Sequence, residues 1–231
     1  NFTNSNLDIF IEKVSNDTYL KVFDTNLIET PIKPVNPNVL NSGLKLTIDK
    51  ENFNFDMGFN AYENLQENNS SDRYQYILPY YNFTKYLDIS EKFTLEFNSS
   101  GNNNLIETNN LESNIINNIN YKMNRISEKG LMNNFGVYFK NLNTVGKNNK
   151  KYKSSPQVEL MSMFEFNTSY PLGKKDLNSE HLIEPKISFR FNPSDMKNYG
   201  STKRIINADN VFDINRLGIG DSFETGKSLT L

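Results

Sequence analysis

The run Phe53-Asn54-Phe55-Asp56-Met57-Gly58-Phe59-Asn60-Ala61 alternates apolar side chains with polar ones or glycine without a break. Only an extended strand returns its side chains to the same side at every second residue, so this run has one greasy and one wet face. The same period recurs at Leu7/Ile9/Ile11, Leu44/Leu46/Ile48, Phe93/Leu95/Phe97, Phe135/Val137/Phe139 and Ile187/Phe189/Phe191. The opposite sides of these segments carry Asp8 and Glu12, Lys45 and Asp49, Thr94 and Glu96, Lys140, and Ser188 and Arg190. A chain written in this way is all-β. Phe164-Glu165-Phe166 alternates too, but Met161-Ser162-Met163 sits on the other parity, which predicts a β-bulge there. Residues 111–126 make the best helix candidate, yet their Asn and β-branched positions favour a strand.

Asn-, Ser-, Gly- and Lys-rich stretches at 67–72, 98–104, 143–155 and 194–202 read as loops between the strands. Pro79, Pro171 and Pro185 lack the N–H that a central strand donates, so each marks a strand start, a bulge or a locally open ladder. Long loops alternating with short turns along a ladder of two-faced strands is the signature of an antiparallel barrel wall. Composition changes little from end to end, so residues 1–231 read as one segment of such a wall, with roughly ten strands. The final Lys227-Ser228-Leu229-Thr230-Leu231 is the middle of an alternating run, which suggests either a small barrel closed with ragged ends or an incomplete wall cut from a larger one. A piece with two exposed edges is not expected to fold alone.

An apolar strand face can be received by a bilayer or by a second packed sheet. Sandwich cores mix Val, Ile, Leu and Ala with aromatics so that facing layers interdigitate, whereas here Phe recurs at successive positions such as Phe53, Phe55 and Phe59. The longest runs reach about ten residues, near the ~9–11 that carry a tilted strand across hydrocarbon and above the ~5–6 of an ordinary strand. The predicted lipid-facing set is therefore Phe53, Phe55, Met57, Phe59, Phe93, Leu95, Phe97, Ile187, Phe189 and Phe191. Tyr74, Tyr76, Tyr80, Tyr81 and Tyr86 suit the aromatic girdle at strand ends. Periodicity alone leaves a porin-like barrel, a soluble β-sandwich binding module or a β-solenoid open.

The bulk numbers remove other classes. With 36% hydrophobic residues and a mean hydropathy of -0.63, no window approaches the ~18 consecutive apolar residues of a spanning helix. Yet 17 Phe and 12 Tyr are a heavy aromatic load for so polar a chain, and a half-greased strand accommodates it. A balance of 25 Lys+Arg against 27 Asp+Glu, without a basic block, argues against nucleic acid. Without Cys there is no disulfide framework or thiolate metal site, and the redox compartment cannot be inferred. Residues 1–6 have no basic region followed by an apolar stretch, so an exported chain would carry its targeting segment upstream.

Chemistry-bearing motifs fail in turn. Gly226-Lys227-Ser228 suggests a phosphate-binding loop, but the first glycine of that motif falls on Asp221 and a strand follows where a helix is required. Asp213, Asn215, Gly218, Asp221 and Glu224 have the spacing of a calcium loop, but Leu217 breaks the ligand set and no helices flank it. Asp213, Arg216 and Asp221 read better as a charge network fixing a turn, with Gly218 and Gly220 bending the backbone. His181, Glu184 and Glu12 lack partners for a triad or a carboxylate pair. No enzyme activity, cofactor or metal is expected.

His181-Leu182-Ile183-Glu184-Pro185-Lys186-Ile187-Ser188-Phe189-Arg190-Phe191-Asn192-Pro193 resembles the "LEP-x-x-x-(F/Y)-x-(F/Y)-x-P" strand of the LptD (OstA, organic solvent tolerance) family of lipopolysaccharide-assembly proteins. Some twenty residues on, the stretch from Asn210 to Gly226 is similar to that family's "LF-x-x-NRF-x-G-x-D-x-x-x-x-G" block. Val14-Ser15-Asn16-Asp17-Thr18-Tyr19-Leu20 and Tyr76-Ile77-Leu78-Pro79 resemble two shorter segments, in the same order. The matching signature positions are Glu184, Pro185, Phe212, Asn215, Arg216, Gly218, Gly220, Asp221 and Gly226. Ile183 stands where Leu is usual, Asn16 where Asp is common and Ser222 where Arg is usual.

The resemblance implies a giant outer-membrane barrel preceded by a periplasmic jelly-roll. An LptE-type lipoprotein would plug it, an LptA-type periplasmic bridge would supply lipopolysaccharide, and the glycolipid would leave sideways into the outer leaflet. This chain would cover middle wall strands only, in a Gram-negative outer membrane. Lys45, Lys140 and Arg190, on the wet side, are then the cations expected to touch glycolipid phosphate or carboxylate.

Overall fold

In the computed structural model, residues 4–18, 39–67, 73–90, 92–176, 179–194, 205–218 and 220–231 are described. Of the loops predicted at 67–72 and 194–202, residues 68–72 and 195–202 lie outside them, as do Tyr19 and Leu20 of one resembling segment. The strands are β1 (Asn4–Phe10), β2 (Val39–Lys50), β3 (Phe53–Asn64), β4 (Tyr74–Ser90), β5 (Phe93–Ile106), β6 (Asn110–Ile126), β7 (Met132–Lys147), β8 (Gln157–Ser169), β9 (Leu172–Lys175), β10 (Glu180–Ile183), β11 (Lys186–Asn192) and β12 (Gly226–Thr230). The fold is all-β. Ten strands form one antiparallel sheet in the order β1-β2-β3-β4-β5-β6-β7-β8-β11-β12, while β9 and β10 pair as a separate ribbon. The sheet does not close on itself, in keeping with part of a barrel wall. The chain divides into two compact units, Asn1–Lys85, Asn98–Ile116 and Leu142–Val158 in the first, and Tyr86–Phe97, Asn117–Asn141 and Glu159–Leu231 in the second.

In the first unit, register turns the sequence alternation into two chemically opposite faces. Leu7 lies across from Leu46, Leu46 from Met57 and Met57 from Tyr81, so apolar rows run perpendicular to the strands. The reverse face carries Asp8 opposite Lys45 and Thr47 opposite Asp56. There the Thr47 hydroxyl donates to Asp56 at 2.8 Å, Asn54 to Asp49 at 2.9 Å and Asn98 to Thr84 at 2.8 Å. Each such cross-strand pair contributes roughly 0.2–1 kcal/mol and penalises a one-residue slip, which would send every side chain to the wrong face.

Pro79 falls where the β3–β4 register shifts, between Gly58 and Asn60, with the extra residue on β4. A proline without an N–H sits naturally in such a bulge. Pro171 and Pro185 stand immediately before β9 and β11, as strand starts. Next to the bulge, a Cβ at Gly58 would collide with the Leu44 carbonyl oxygen and come within 2.6 Å of the Tyr80 hydroxyl, so the neighbouring backbone favours glycine there.

Residues 98–104, expected as a loop, belong to β5. Asparagine is scarce in ordinary strands because its amide competes with the ladder for backbone partners. Here the amides bond across the sheet: Ser113 to Asn103 at 2.5 Å, Asn114 to Asn102 at 3.3 Å and Gln75 to Asn104 at 2.9 Å. Residues 143–147 likewise extend β7, and the loop begins only at Asn148, whose φ is +54°. Residues 110–126 form strand β6, as their β-branched positions require.

In the second unit, burial keeps a single phase through β8, with Met161, Met163 and Glu165 turned in and Phe164 and Phe166 turned out. The bulge expected at Met161–Met163 is therefore not needed, since the methionines occupy the otherwise polar face. Tyr80 and Tyr81 lie in the middle of β4 and not at a strand end. Tyr74, at the start of β4, stacks on Tyr76 with centroids 6.1 Å apart.

Candidate functional site: a polar face covered by the signature segment

Strands β7, β8 and β11 build the site because each alternates strictly. Tyr138 and Lys140 on β7, Met163 and Glu165 on β8, and Ser188, Arg190 and Asn192 on β11 are buried on one side. Phe135 and Phe139, Phe164 and Phe166, and Ile187 and Phe189 lie exposed on the other. Arg190 retains 3% of its accessible surface and its neighbour Phe189 43%. This inverts the usual distribution, in which charge is outside and aromatics are inside.

At the centre of the buried side, Arg190 Nε donates to Glu165 Oε1 at 2.9 Å, and the Tyr138 hydroxyl donates to Glu165 Oε2 at 3.2 Å. Arg190 and Glu165 lie directly across from each other in the β8–β11 register. Taking both charges out of water is expensive, and the additional bonds from Tyr138 and to the Val211 carbonyl, 3.3 Å from Arg190 Nη1, offset part of that.

Residues 205–218 and 220–225 lie against this side. Asn210 opens the segment by donating to the Ile205 carbonyl at 2.9 Å, while its side-chain oxygen accepts the Asn207 N–H at 3.1 Å. Gly218, at φ +68°, and Gly226, at φ +89°, take backbone conformations that side chains disfavour. The fork of Arg216 closes on the Glu224 carboxylate at 2.7 and 2.6 Å, and its third nitrogen reaches Thr230 Oγ1 at 3.2 Å. The hydrogen bonds to Glu224 hold the Arg216 pKa above its ordinary value, so this fork stays charged. From the wall, Lys140 Nζ donates to the Gly220 carbonyl at 2.9 Å and lies 5.2 Å from the Phe223 ring centroid. Asn192 donates to the Glu224 carbonyl at 3.1 Å, and Lys186 sits 4.7 Å from the centroid of Phe212.

The expected network of Asp213, Arg216 and Asp221 is thus drawn differently, because Arg216 takes Glu224 as its partner. Phe212, Arg216, Gly218, Gly220, Asp221 and Gly226 come together along the cover. Asn215 supplies the carbonyl that accepts the Gly218 N–H at 2.9 Å. Glu184 and Pro185 stand apart, exposed at the break between β10 and β11, and His181 lies on β10 opposite Lys174.

Of the three cations expected to meet glycolipid, Lys45 has a side chain 45% exposed, 3.8 Å from Asp56. Lys140 and Arg190 are buried and bonded to the cover. In the expected lipid-facing set, Phe53, Phe55, Met57 and Phe59 share one face of β3, Phe93, Leu95 and Phe97 one face of β5, and Ile187, Phe189 and Phe191 one face of β11. Glu165 and Tyr138 went unnoticed in the sequence, although Phe164-Glu165-Phe166 and Phe189-Arg190-Phe191 carry opposite charges in the same aromatic frame. Among the described residues, no group of three or more His, Asp or Glu could hold a metal ion.

An aromatic face turned out, a polar face turned in and a terminal block folded against it can now be set beside known proteins. The sequence matches the family described as LPS transport system D, LptD, over residues 3–231. The chain belongs to the LptD family. No curated protein matches it. LptD is a transport and assembly family of the outer membrane, not a family of enzymes, and handles lipopolysaccharide. The described residues of the block that resembles the family, 210–218 and 220–226, belong to the covering segment, in which Arg216 bonds Glu224.

Proposed function

We propose that this chain is wall of an outer-membrane translocon that inserts lipopolysaccharide into the outer leaflet, without covalent chemistry. Its phenylalanine-bearing face meets hydrocarbon and its amide-rich face meets a wet passage. One observation carries the reading: along β11, Ile187 and Phe189 are exposed while Ser188, Arg190 and Asn192 between and beside them are buried. In water this distribution exposes greasy area without return, whereas in a bilayer it places each side chain in its preferred solvent. Strands β4, β6 and β7, at 17, 17 and 16 residues, exceed the ~9–11 needed to cross the hydrocarbon.

A charged sugar head group stays on the wet side because burying charge in hydrocarbon is costly, while the acyl chains remain in apolar surroundings. Lys45 is the accessible cation for phosphate or carboxylate on the glycolipid, and Lys140 and Arg190 hold the signature segment in place. An LptE-type plug and an LptA-type bridge complete the route through parts of the protein outside this wall. The test is Phe189→Lys in the full-length protein, with stability read by denaturant unfolding in liposomes. A lipid-facing site predicts a loss of ~2–4 kcal/mol near the midplane. A soluble sandwich predicts no loss and better solubility from replacing a half-exposed phenylalanine.

A further inference from the structure

On the phenylalanine-bearing face of the first unit, Lys50 lies directly across from Phe53, and Phe53 directly across from Lys85. Residues paired in this way share a face, so two lysines flank one ring where the apolar rows end. Ile48, Phe55 and Phe83 form the row before it, and the Phe83 centroid lies 6.0 Å from that of Phe53 and 6.3 Å from that of Phe55. Lys50 is exposed, with its Nζ over the Phe53 ring at 5.1 Å from the centroid. Neighbouring strands run ~4.7–4.9 Å apart, so the Lys50 and Lys85 backbones are separated by roughly 10 Å, and their long side chains can meet on one group between them. Asp49, the acid beside Lys50 on β2, accepts from Asn54 at 2.9 Å on the opposite face, and Glu51 is exposed in the turn that follows.

We propose that Lys50 and Lys85 bind the phosphate of one anionic glycerophospholipid, such as phosphatidylglycerol, whose acyl chains start down Phe53, Phe55 and Phe83. Each lysine stem lies along the apolar border while its ammonium reaches the headgroup layer, where a basic side chain is attracted to anionic lipid. The phosphates of lipopolysaccharide carry the same charge, and the place in the fold separates the two sources. Glu51 and Asn52 alone join β2 to β3, whereas residues 11–38 and 65–73 connect strands at the opposite end of the unit. Short turns of bacterial barrels face the periplasm and longer loops the outside, so the lysine pair lies in the leaflet opposite the one that receives lipopolysaccharide. This site rests on the lipid-facing reading above, whose failure is read separately.

The full-length protein is prepared with the photo-crosslinker p-benzoylphenylalanine replacing Phe83, or Phe55 should that variant fold poorly, and replacing Phe189 as a control on the open wall. Each is irradiated in vesicles of phosphatidylcholine with a minor share of phosphatidylglycerol, and in intact cells, with adducts identified by mass spectrometry. In vesicles, phosphatidylglycerol is expected among the adducts at 83 about tenfold above its share of the lipid, and at its share at 189. Lys50→Gln with Lys85→Gln is expected to abolish the enrichment, and Lys50→Arg with Lys85→Arg to retain it. In intact cells the adducts at 83 are expected to be phospholipid. Equal enrichment at both positions, or enrichment that survives the glutamines, would overturn the site and leave the lipid-facing wall standing. Lipid A as the main adduct at 83 in cells would overturn the phospholipid as occupant. Absence of lipid adducts at both positions would remove the wall reading, and the site with it.

Discussion

Glu165 and Arg190 are buried to within a few per cent, which makes them the most sensitive pair in the second unit. Removing one partner strands the other charge in a place it cannot leave, so Glu165→Ala is expected to destabilise by about 3–5 kcal/mol. Replacing both, as Glu165→Met with Arg190→Met, is expected to recover most of that loss, because two apolar side chains of similar volume need no solvation. Urea unfolding of the single and double variants in liposomes gives the coupling directly, and additive losses would contradict a specific pair. The Asn117–Asn141 bond and the Thr47–Asp56 bond belong to the same scale but are singly replaceable, since each is one member of a ladder of similar pairs.

Strands were legible wherever aromatic and polar residues alternate, because that pattern has one geometric solution. β3 matches the Phe53-to-Ala61 run and extends it to Asn64. Polarity at 98–104 predicts a loop where the structure has strand β5, because cross-strand amide pairs are invisible until register is known. The methionines at 161 and 163 misled for a related reason, since an apolar residue on the wet face looks like a shift of phase. The covering segment could not be foreseen from periodicity at all. Its resemblance located the block, but the partner of Arg216 is Glu224, eight residues away, and spacing offered Asp213 and Asp221 equally well. That fork is what closes the segment, so Arg216→Ala is expected to free residues 205–218 and 220–225. Limited proteolysis should then cut within 205–218 at least tenfold faster, while β7, β8 and β11 stay protected. Cleavage at the wild-type rate would show that the contacts of Lys140 and Arg190 hold the cover alone.

At the scale of the molecule, the proposed function has the ten-stranded antiparallel sheet gain its stability from a division of solvents and not from a single dry core. Among the described residues the fully buried side chains are few, and two of the largest, Asn192 and Ser188, are polar. A soluble domain of this length would be expected to bury aromatics in quantity, whereas here Phe135, Phe139, Phe164, Phe166 and Phe189 remain exposed. The proposed function gives this inversion a purpose in a chain of the LptD family, as a wall with lipid on one side and a passage for lipopolysaccharide on the other. The most direct test places a spin label at each position from 187 to 192 in the full-length protein in liposomes. Accessibility to oxygen is then compared with accessibility to a water-soluble nickel chelate. The account predicts a period of two, with 187, 189 and 191 favouring oxygen and 188, 190 and 192 shielded from it. Odd positions that favour the nickel chelate, or a profile without that period, would contradict it.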